Sequence, residues 1–125
     1  MEFTALERAV LTAYGELYGA DEPRLAGQLA VARPISRENT GNGFHTYLEV
    51  DRSACEKIIA WGPLGEHFMH IKGLEHGIGL LLFFSEGYLN EIDGYAQAGE
   101  DTSVIDFSET GFGPVEPIPF QKVGA

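Results

Sequence analysis

Residues 77–96 read GIGLLLFFSEGYLNEIDGYA, and this stretch decides the fold of the chain. Its apolar part, residues 78–84, is too short to cross a membrane and is typical of a strand that is covered on both faces. Residues 85–87 then predict a three-residue loop, in which Gly87 takes the left-handed conformation without a side-chain clash. Because residues 88–93 return as a half-polar strand, the stretch predicts a central β-hairpin.

An amphipathic helix is predicted at the start of the chain, over residues 5–18. Residues 4–7 form a capping box, in which the Thr4 hydroxyl accepts a helix amide and Glu7 reaches back to the Thr4 amide. Gly19 follows the last turn, where a left-handed helix terminator belongs. The apolar stripe of this helix needs a cover, so we expect the helix to lie across a sheet.

A strand is predicted where Leu29, Val31 and Ile35 alternate with small or polar residues. Pro34 places this strand at an edge of the sheet or at a bulge, because proline has no amide hydrogen to donate to a neighbouring strand. Residues 37–43 then have the composition of a turn, with Asn42 and Gly43 suited to positive φ.

Alternation with a period of two is clearest in residues 44–51, which predict the second strand of this hairpin. One face of the strand carries Phe44, Thr46, Leu48 and Val50, and the other carries His45, Tyr47, Glu49 and Asp51. We predict that Phe44, Leu48 and Val50 are buried and that Tyr47 and Glu49 are not.

The remaining segments complete the predicted fold. Residues 55–61 fit either a short helix or a strand, whereas residues 67–72 and 103–107 predict strands. Together the elements predict an α+β fold in one domain over residues 1–125. Its N-terminal amphipathic helix packs on an antiparallel sheet, a meander of about five or six strands.

Charge is distributed unevenly along the chain, whose net charge is −11 at pH 7. Between Lys72 and Lys122 there is no Lys or Arg, and this segment contains the carboxylates of Glu75, Glu86, Glu91, Asp93, Glu100, Asp101, Asp106, Glu109 and Glu116. Such a field repels phosphate backbones and anionic lipid. It therefore disfavours nucleic-acid and membrane partners and favours a basic protein partner.

We expect a cytoplasmic protein. The first residues lack the basic start and apolar centre of a signal peptide, and no apolar run reaches about 18 residues. The single cysteine, Cys55, cannot form an internal disulfide, which suits a reducing compartment.

Two sets of polar residues are candidates for a binding surface. Glu91, Asp93 and Tyr95 share one side of the returning strand of the central hairpin, and His45 and Tyr47 lie on the polar face of the alternating strand. Paired carboxylates can share a proton or hold a cation, and we expect both carboxylates to be exposed. The sequence contains no nucleophile elbow and no phosphate-binding loop.

These features predict a non-enzymatic protein-binding domain with an acidic interaction face and no cofactor. The alternative is an enzyme for a small ligand, which would need Arg37, His45, Glu91 and Asp93 to converge in one cleft. A deep pocket lined by these four residues would favour the enzyme.

His67, His70 and His76 are the histidines that the sequence places closest together. Residues three apart on a strand project to opposite faces, so His67 and His70 cannot share a metal ion. We therefore predict no metal site at these histidines.

Three segments resemble a family of small uncharacterised bacterial proteins: residues 37–44 read RENTGNGF, residues 73–79 read GLEHGIG and residues 84–95 read FSEGYLNEIDGY. In that family an Arg-Glu-x-Thr-Gly turn precedes a strand, and a glycine-turn hairpin ends in a Leu-Glu-Gly-Tyr-like element. Here the element is residues 92–95, with the shorter carboxylate of Asp93 in place of Glu. Such compact, acidic proteins are similar to the toxin-neutralising immunity proteins of bacteria, which implies a toxin as partner.

Overall fold

The computed structural model describes residues 1–59 and 64–117. Its elements are α1 (Ala5–Tyr18), α2 (Arg24–Ala30), β1 (Ala32–Asn39), β2 (Gly43–Val50), β3 (Leu64–Met69), β4 (Ile78–Ser85), β5 (Tyr88–Ala96) and β6 (Glu116–Pro117). The strands form one antiparallel sheet in the order β1-β2-β5-β4-β3-β6. The predicted α+β class, with an N-terminal helix and about five or six strands, is confirmed. No helix in the described ranges is long and apolar enough to cross a membrane.

The order of the strands differs from the predicted meander. β3, β4 and β5 follow one another as neighbours, but the free edge of β5 pairs with β2, so β5 lies between β2 and β4. This arrangement puts the apolar strand β4 and its partner β5 at the centre of the sheet, where both are covered by strands on either side. The strand predicted over residues 103–107 is wrong, because these residues lie in turns and irregular backbone, and the last strand in the described ranges is β6.

α1 has the predicted bounds and the predicted capping box. The Thr4 amide donates to Glu7 Oε1 at 2.8 Å, and the Glu7 amide donates to Thr4 Oγ1 at 3.1 Å. The predicted left-handed terminator is wrong, since Gly19 has φ −63°. Glycine is required there for a different reason: a Cβ atom would lie 2.5 Å from the carbonyl oxygen of Gly15.

The core lies between α1 and one side of the sheet, which we call the core face. Apolar side chains of α1 pack in one cluster with those of β2, β4 and β5, the most buried being Leu6, Val10, Tyr14, Leu48, Ile78, Leu80, Leu82, Leu89 and Ile92. Phe44 and Leu48 are buried, as predicted, whereas Val50 at the end of β2 is only half-buried. Tyr47 and Glu49 are both partly exposed, also as predicted.

Residues 24–30 form a helix that the sequence analysis missed. Leu29 lies in α2 and Val31 caps it, so the strand begins only at Ala32. The predicted position of Pro34 is confirmed, because β1 is an edge strand and its pairing with β2 shifts between Pro34 and Ser36.

Gln28 ties α2 to the turn between β4 and β5. Its amide nitrogen donates to the carbonyl oxygens of Glu56 and Gly87 at 2.8 and 2.9 Å, and its amide oxygen accepts from the Leu89 amide at 2.8 Å. The side chain is fully buried, so these three bonds are shielded from water. Such a set holds a short helix that has little stability of its own.

We expect Gln28→Ala to lower the free energy of unfolding by about 1–3 kcal/mol, because the buried Leu89 amide loses its partner. Urea unfolding followed by circular dichroism measures this difference. Gln97→Ala, in the loop after β5, is the control and should change stability by less than about 0.5 kcal/mol. Equal stability of the Gln28 variant and the wild type would contradict the prediction.

The β4–β5 turn is shorter than predicted. Only Glu86 and Gly87 connect the strands, and both have positive φ, 55° and 85°, as in a type I′ turn rather than a three-residue loop. The left-handed conformation predicted for Gly87 is confirmed. A Cβ atom at this position would lie 2.6 Å from the Ile58 carbonyl oxygen, so the turn also packs tightly on the segment after β2.

The segment predicted as either a helix or a strand, residues 55–61, is only partly described. Residues 55–59 belong to neither kind of element, and residues 60–61 lie outside the described residues. The segment runs past the β4–β5 turn, where the Ile58 amide donates to the Gly87 carbonyl oxygen at 2.9 Å.

Candidate functional site

The pairing of β2 with β5 brings the predicted binding residues together on one side of the sheet. His45 is paired with Asp93, Tyr47 with Glu91, and Gly43 with Tyr95. Paired residues of an antiparallel ladder project to the same side, which here is the side opposite α1. We call this side the acidic face; it comprises His45, Tyr47, Glu91, Asp93 and Tyr95, with Glu38 and Glu66 at its borders.

The His45 imidazole lies at the centre of the acidic face, between two carboxylates. Its Nδ1 atom is 2.7 Å from Glu91 Oε2 and 3.2 Å from the Tyr47 hydroxyl, and its Nε2 atom is 3.2 Å from Asp93 Oδ1. Both ring nitrogens therefore have an oxygen neighbour.

The two carboxylates are more buried than the sequence analysis expected. The side chains of Glu91 and Asp93 are only 19% and 20% exposed. Burial raises the pKa of both carboxyl groups, although the nearby His45 opposes the rise, and the charge of Asp93 raises the Glu91 pKa further. A carboxyl pKa that is higher in the folded than in the unfolded state means that stability falls as the pH rises through that range.

Holding these two carboxylates close together therefore costs the fold stability at neutral pH. Carboxyl groups with perturbed pKa values cluster at functional sites, which makes this pair a candidate site.

Tyr95 forms one wall of the acidic face by lying across β4. Its ring occupies the space above Gly79, where a Cβ atom would lie 2.2 Å from Tyr95 Cζ. The hydroxyl donates to Glu66 Oε2 at 3.2 Å. Burial, with the charge of Glu66, raises the pKa of Tyr95 to about 12, so the hydroxyl remains a donor at neutral pH.

A matching contact lies on the core face, between β2 and β5. The Phe44 ring covers Gly94, where a Cβ atom would lie 2.3 Å from Phe44 Cε1. Each of residues 92–95 therefore has its own role. Ile92 packs in the core, Asp93 belongs to the acidic face, Gly94 makes room for the Phe44 ring, and the Tyr95 ring lies over Gly79. This explains in physical terms why Ile-Asp-Gly-Tyr is a distinct element of the sequence.

The carboxylates between Lys72 and Lys122 do not form a single surface. Glu100 accepts the backbone amides of Glu75 and His76, each at 2.8 Å, and Asp101 and Asp106 accept amides within their own turns. These groups stabilise loops.

The acidic face includes two carboxylates that the sequence analysis missed. Glu38 is paired with His45 across the β1–β2 hairpin, and Glu66 is joined to Tyr95. If the pairing of the two strands is continued through the residues predicted as a turn, Glu38 lies beside His45, so the sequence could have indicated it. No local pattern indicates Glu66.

Arg37 does not join the other residues of the alternative, enzymatic site. It is paired with Thr46 and projects to the core face, where its guanidinium forms two bonds to Glu7, at 2.7 and 2.8 Å. It borders a cleft of about 350 Å³ that His45 also lines but that Glu91 and Asp93 do not. The four residues therefore lie on two sides of the sheet and not in one cleft.

The three neighbouring histidines also lie apart. His67 lies beneath α1, with its Nε2 atom 2.6 Å from the Tyr18 hydroxyl. His70 follows the end of β3 and is exposed, and His76 is exposed in the loop before β4.

Comparisons with protein-family models, with curated proteins and with solved structures found no match for this chain. The resemblance to a bacterial family therefore stays a prediction.

Proposed function

We propose that this protein is a non-enzymatic binding domain whose acidic face receives a basic segment of a partner protein. The observation that carries the proposal is the grouping of Glu38, Glu66, Glu91 and Asp93 around His45, between Tyr47 and Tyr95.

The chemistry of the acidic face favours arginine or lysine from the partner. Glu91 and Asp93 are mostly buried, so a cation bound beside them and His45 would gain more than a cation beside fully exposed carboxylates. Arginine fits best, because its planar guanidinium binds carboxylates in pairs and stacks on aromatic rings such as those of Tyr47 and Tyr95. Tyrosine beside buried charge is also typical of the residues that contribute most to protein interfaces.

A narrower form of the proposal names the partner as a basic toxin that this protein neutralises in the bacterial cytoplasm. This form rests on the resemblance to immunity proteins and on the net charge of −11. The same charge makes nucleic acid and anionic membranes poor partners.

The binding test uses a synthetic arginine-rich hexapeptide, with a peptide of the same length carrying glutamine for arginine as its control. Titration of the isotopically labelled protein, followed by backbone amide NMR, should shift the signals of β2 and β5. We expect the glutamine peptide to leave these signals unchanged. Shifts confined to other parts of the chain would contradict the proposal.

The effect of charge position is tested with two double variants that have the same net charge. Glu91→Gln with Asp93→Asn removes the central carboxylates without a change of shape, which suits side chains that are about four-fifths buried. Glu75→Gln with Glu109→Gln removes two exposed carboxylates outside the acidic face. We expect the first pair to weaken peptide binding about tenfold or more and the second pair by less than about twofold.

Association rates at about 0.05 and 0.5 M salt complete the test, because the Debye length shrinks severalfold over this range. The wild type should associate more slowly at high salt, and the Glu91/Asp93 variant should show a weaker dependence on salt. Equal losses in both double variants would indicate diffuse attraction to net charge and would contradict a role for the acidic face.

A further inference from the structure

His45, Glu91 and Asp93 place one imidazole and two carboxylates on adjacent central strands of the sheet. One donor atom from each residue can be chosen such that all three lie within 4.8 Å of one another. All three side chains are partly buried, at 32%, 19% and 20% exposed. We propose that these three residues bind a divalent transition-metal ion, with Zn²⁺ as the expected occupant.

The set of donors selects the class of metal. Imidazole nitrogen with carboxylate oxygen suits zinc and its first-row neighbours, whereas calcium and magnesium prefer oxygen alone. Three protein ligands leave a fourth position for water, as in open zinc sites.

The distances between the donors need little change for coordination. Zinc bonds of about 2.0–2.2 Å place the donors of a tetrahedral site about 3.4 Å apart. Nε2 of His45 already lies 3.2 Å from Asp93 Oδ1, whereas Glu91 Oε2 lies 2.7 Å from the other ring nitrogen, Nδ1. Since one donor atom of each residue lies within 4.8 Å of the others, a rotation of the Glu91 side chain towards Nε2 would bring the three donors around one ion.

Tyr47 supplies the outer contact that a histidine ligand needs. When Nε2 of His45 coordinates the ion, Nδ1 keeps its hydrogen and lies 3.2 Å from the Tyr47 hydroxyl, which can accept it. Hydrogen bonds of this kind fix the tautomer and the orientation of histidine ligands. The ligands themselves stand on paired strands, His45 directly opposite Asp93, which limits their movement.

The charge around the site also favours a cation. One imidazole does not offset the two carboxylates of Glu91 and Asp93, and the carboxylates of Glu38 and Glu66 lie close by. A divalent ion would compensate this negative charge. The metal ion would use the same carboxylates as a basic partner, but the calorimetry contains no peptide and the peptide titration contains no metal ion, so the two tests can fail separately.

The experiment is isothermal titration calorimetry of the full chain with ZnCl₂, repeated with MnCl₂ and MgCl₂. We expect one Zn²⁺ per chain, weaker binding of Mn²⁺ and no measurable heat with Mg²⁺. Zn²⁺ binding should weaken by more than about 100-fold in each of the ligand variants His45→Gln, Glu91→Gln and Asp93→Asn. The loss of a hydrogen bond to a ligand, by comparison, typically weakens binding by about 10- to 100-fold. His76→Gln removes an exposed histidine elsewhere and should change the affinity by less than about twofold.

Cobalt substitution gives a second measurement that depends on the geometry of coordination. Co²⁺ in a site of low coordination number absorbs strongly in the visible range, and these bands should be present in the wild type and in the His76 variant but absent in the His45 variant. Tyr47→Phe should weaken Zn²⁺ binding by about tenfold while keeping the bands.

The proposal is overturned if Zn²⁺ shows no saturable binding to the wild type, or if the His45, Glu91 and Asp93 variants bind as tightly as the wild type. Circular dichroism checks that each variant is folded.

Discussion

Arg37→Ala is expected to lower the free energy of unfolding at pH 7 by about 3 kcal/mol, the lower end of the range for breaking a buried ion pair. Glu7 is 3% exposed and would lose the guanidinium that bonds both its oxygens. It would keep the hydroxyl of Thr46 at 2.6 Å and the amide of Thr4. Hydrogen bonds alone do not compensate a buried charge fully, so the fold is destabilised.

The loss should shrink as the pH falls. Burial raises the pKa of Glu7, but the hydrogen bonds from Arg37, Thr46 and Thr4 outweigh it, and the net pKa is lowered below its usual value of 4.5. A lowered pKa gives stability that is complete above about 4.5 and is lost as the pH falls through the folded-state value. Without Arg37 the stability that ionised Glu7 contributes is smaller. The wild type and the Arg37→Ala variant should therefore converge in stability as the pH falls below 4.5.

Arg33→Ala is the matched control, because Arg33 lies on the same strand and also pairs with a glutamate. The Arg33–Glu49 pair is exposed, with side chains 74% and 44% accessible. Its loss should cost less than about 1 kcal/mol. Urea unfolding of both variants at pH 7 and pH 4 gives the comparison, and equal losses at pH 7 would contradict a special role for burial of Glu7.

Leu48→Ala is expected to cost about 2–5 kcal/mol, the range for deleting a buried leucine side chain. Leu48 is 3% exposed and belongs to the cluster beneath α1. The neighbouring strands β1 and β5 limit how far the site can collapse around the smaller side chain. Urea unfolding at pH 7 measures the loss.

Glu49→Ala tests the register of β2 with a side chain that projects to the opposite side of the sheet from Leu48. It removes a partly exposed side chain whose partner is the exposed Arg33, so it should cost less than about 1 kcal/mol. A slip of one residue would exchange the two faces and reverse the two results. A larger loss for Glu49→Ala than for Leu48→Ala would therefore show that the register is wrong.

The parts of the fold that sequence patterns predicted are those set by local contacts. α1 begins where Thr4 and Glu7 exchange bonds, three residues apart, and this signal is complete within the sequence. α2 was missed because its stability comes from Gln28, whose partners lie 28 to 61 residues away along the chain. A seven-residue helix has too few internal bonds to leave a pattern of its own.

The candidate site was predicted in pieces. Alternation placed His45 and Tyr47 on one face of β2, and Glu91, Asp93 and Tyr95 on one face of β5. The two sets lie side by side only because β5 pairs with β2 and is not the edge strand of a meander. No local pattern in the sequence indicates which strands pair. The same pairing explains why Glu91 and Asp93 are less exposed than expected, because central strands shield side chains that an edge strand would leave in water.

The two rings that pack against glycines fix the alignment of β5 with its neighbouring strands. The Phe44 ring packs against Gly94 on the core face, and the Tyr95 ring packs against Gly79 on the acidic face. Each glycine leaves the space that a ring on the neighbouring strand occupies. Sliding β5 by two residues would bring Ile92 or Ala96 beneath Phe44, where neither fits. The spacing between His45 and Asp93 is thus held by two ring contacts that involve none of His45, Glu91 and Asp93, so substitutions of these three residues can alter the chemistry of the acidic face while the strands keep their alignment.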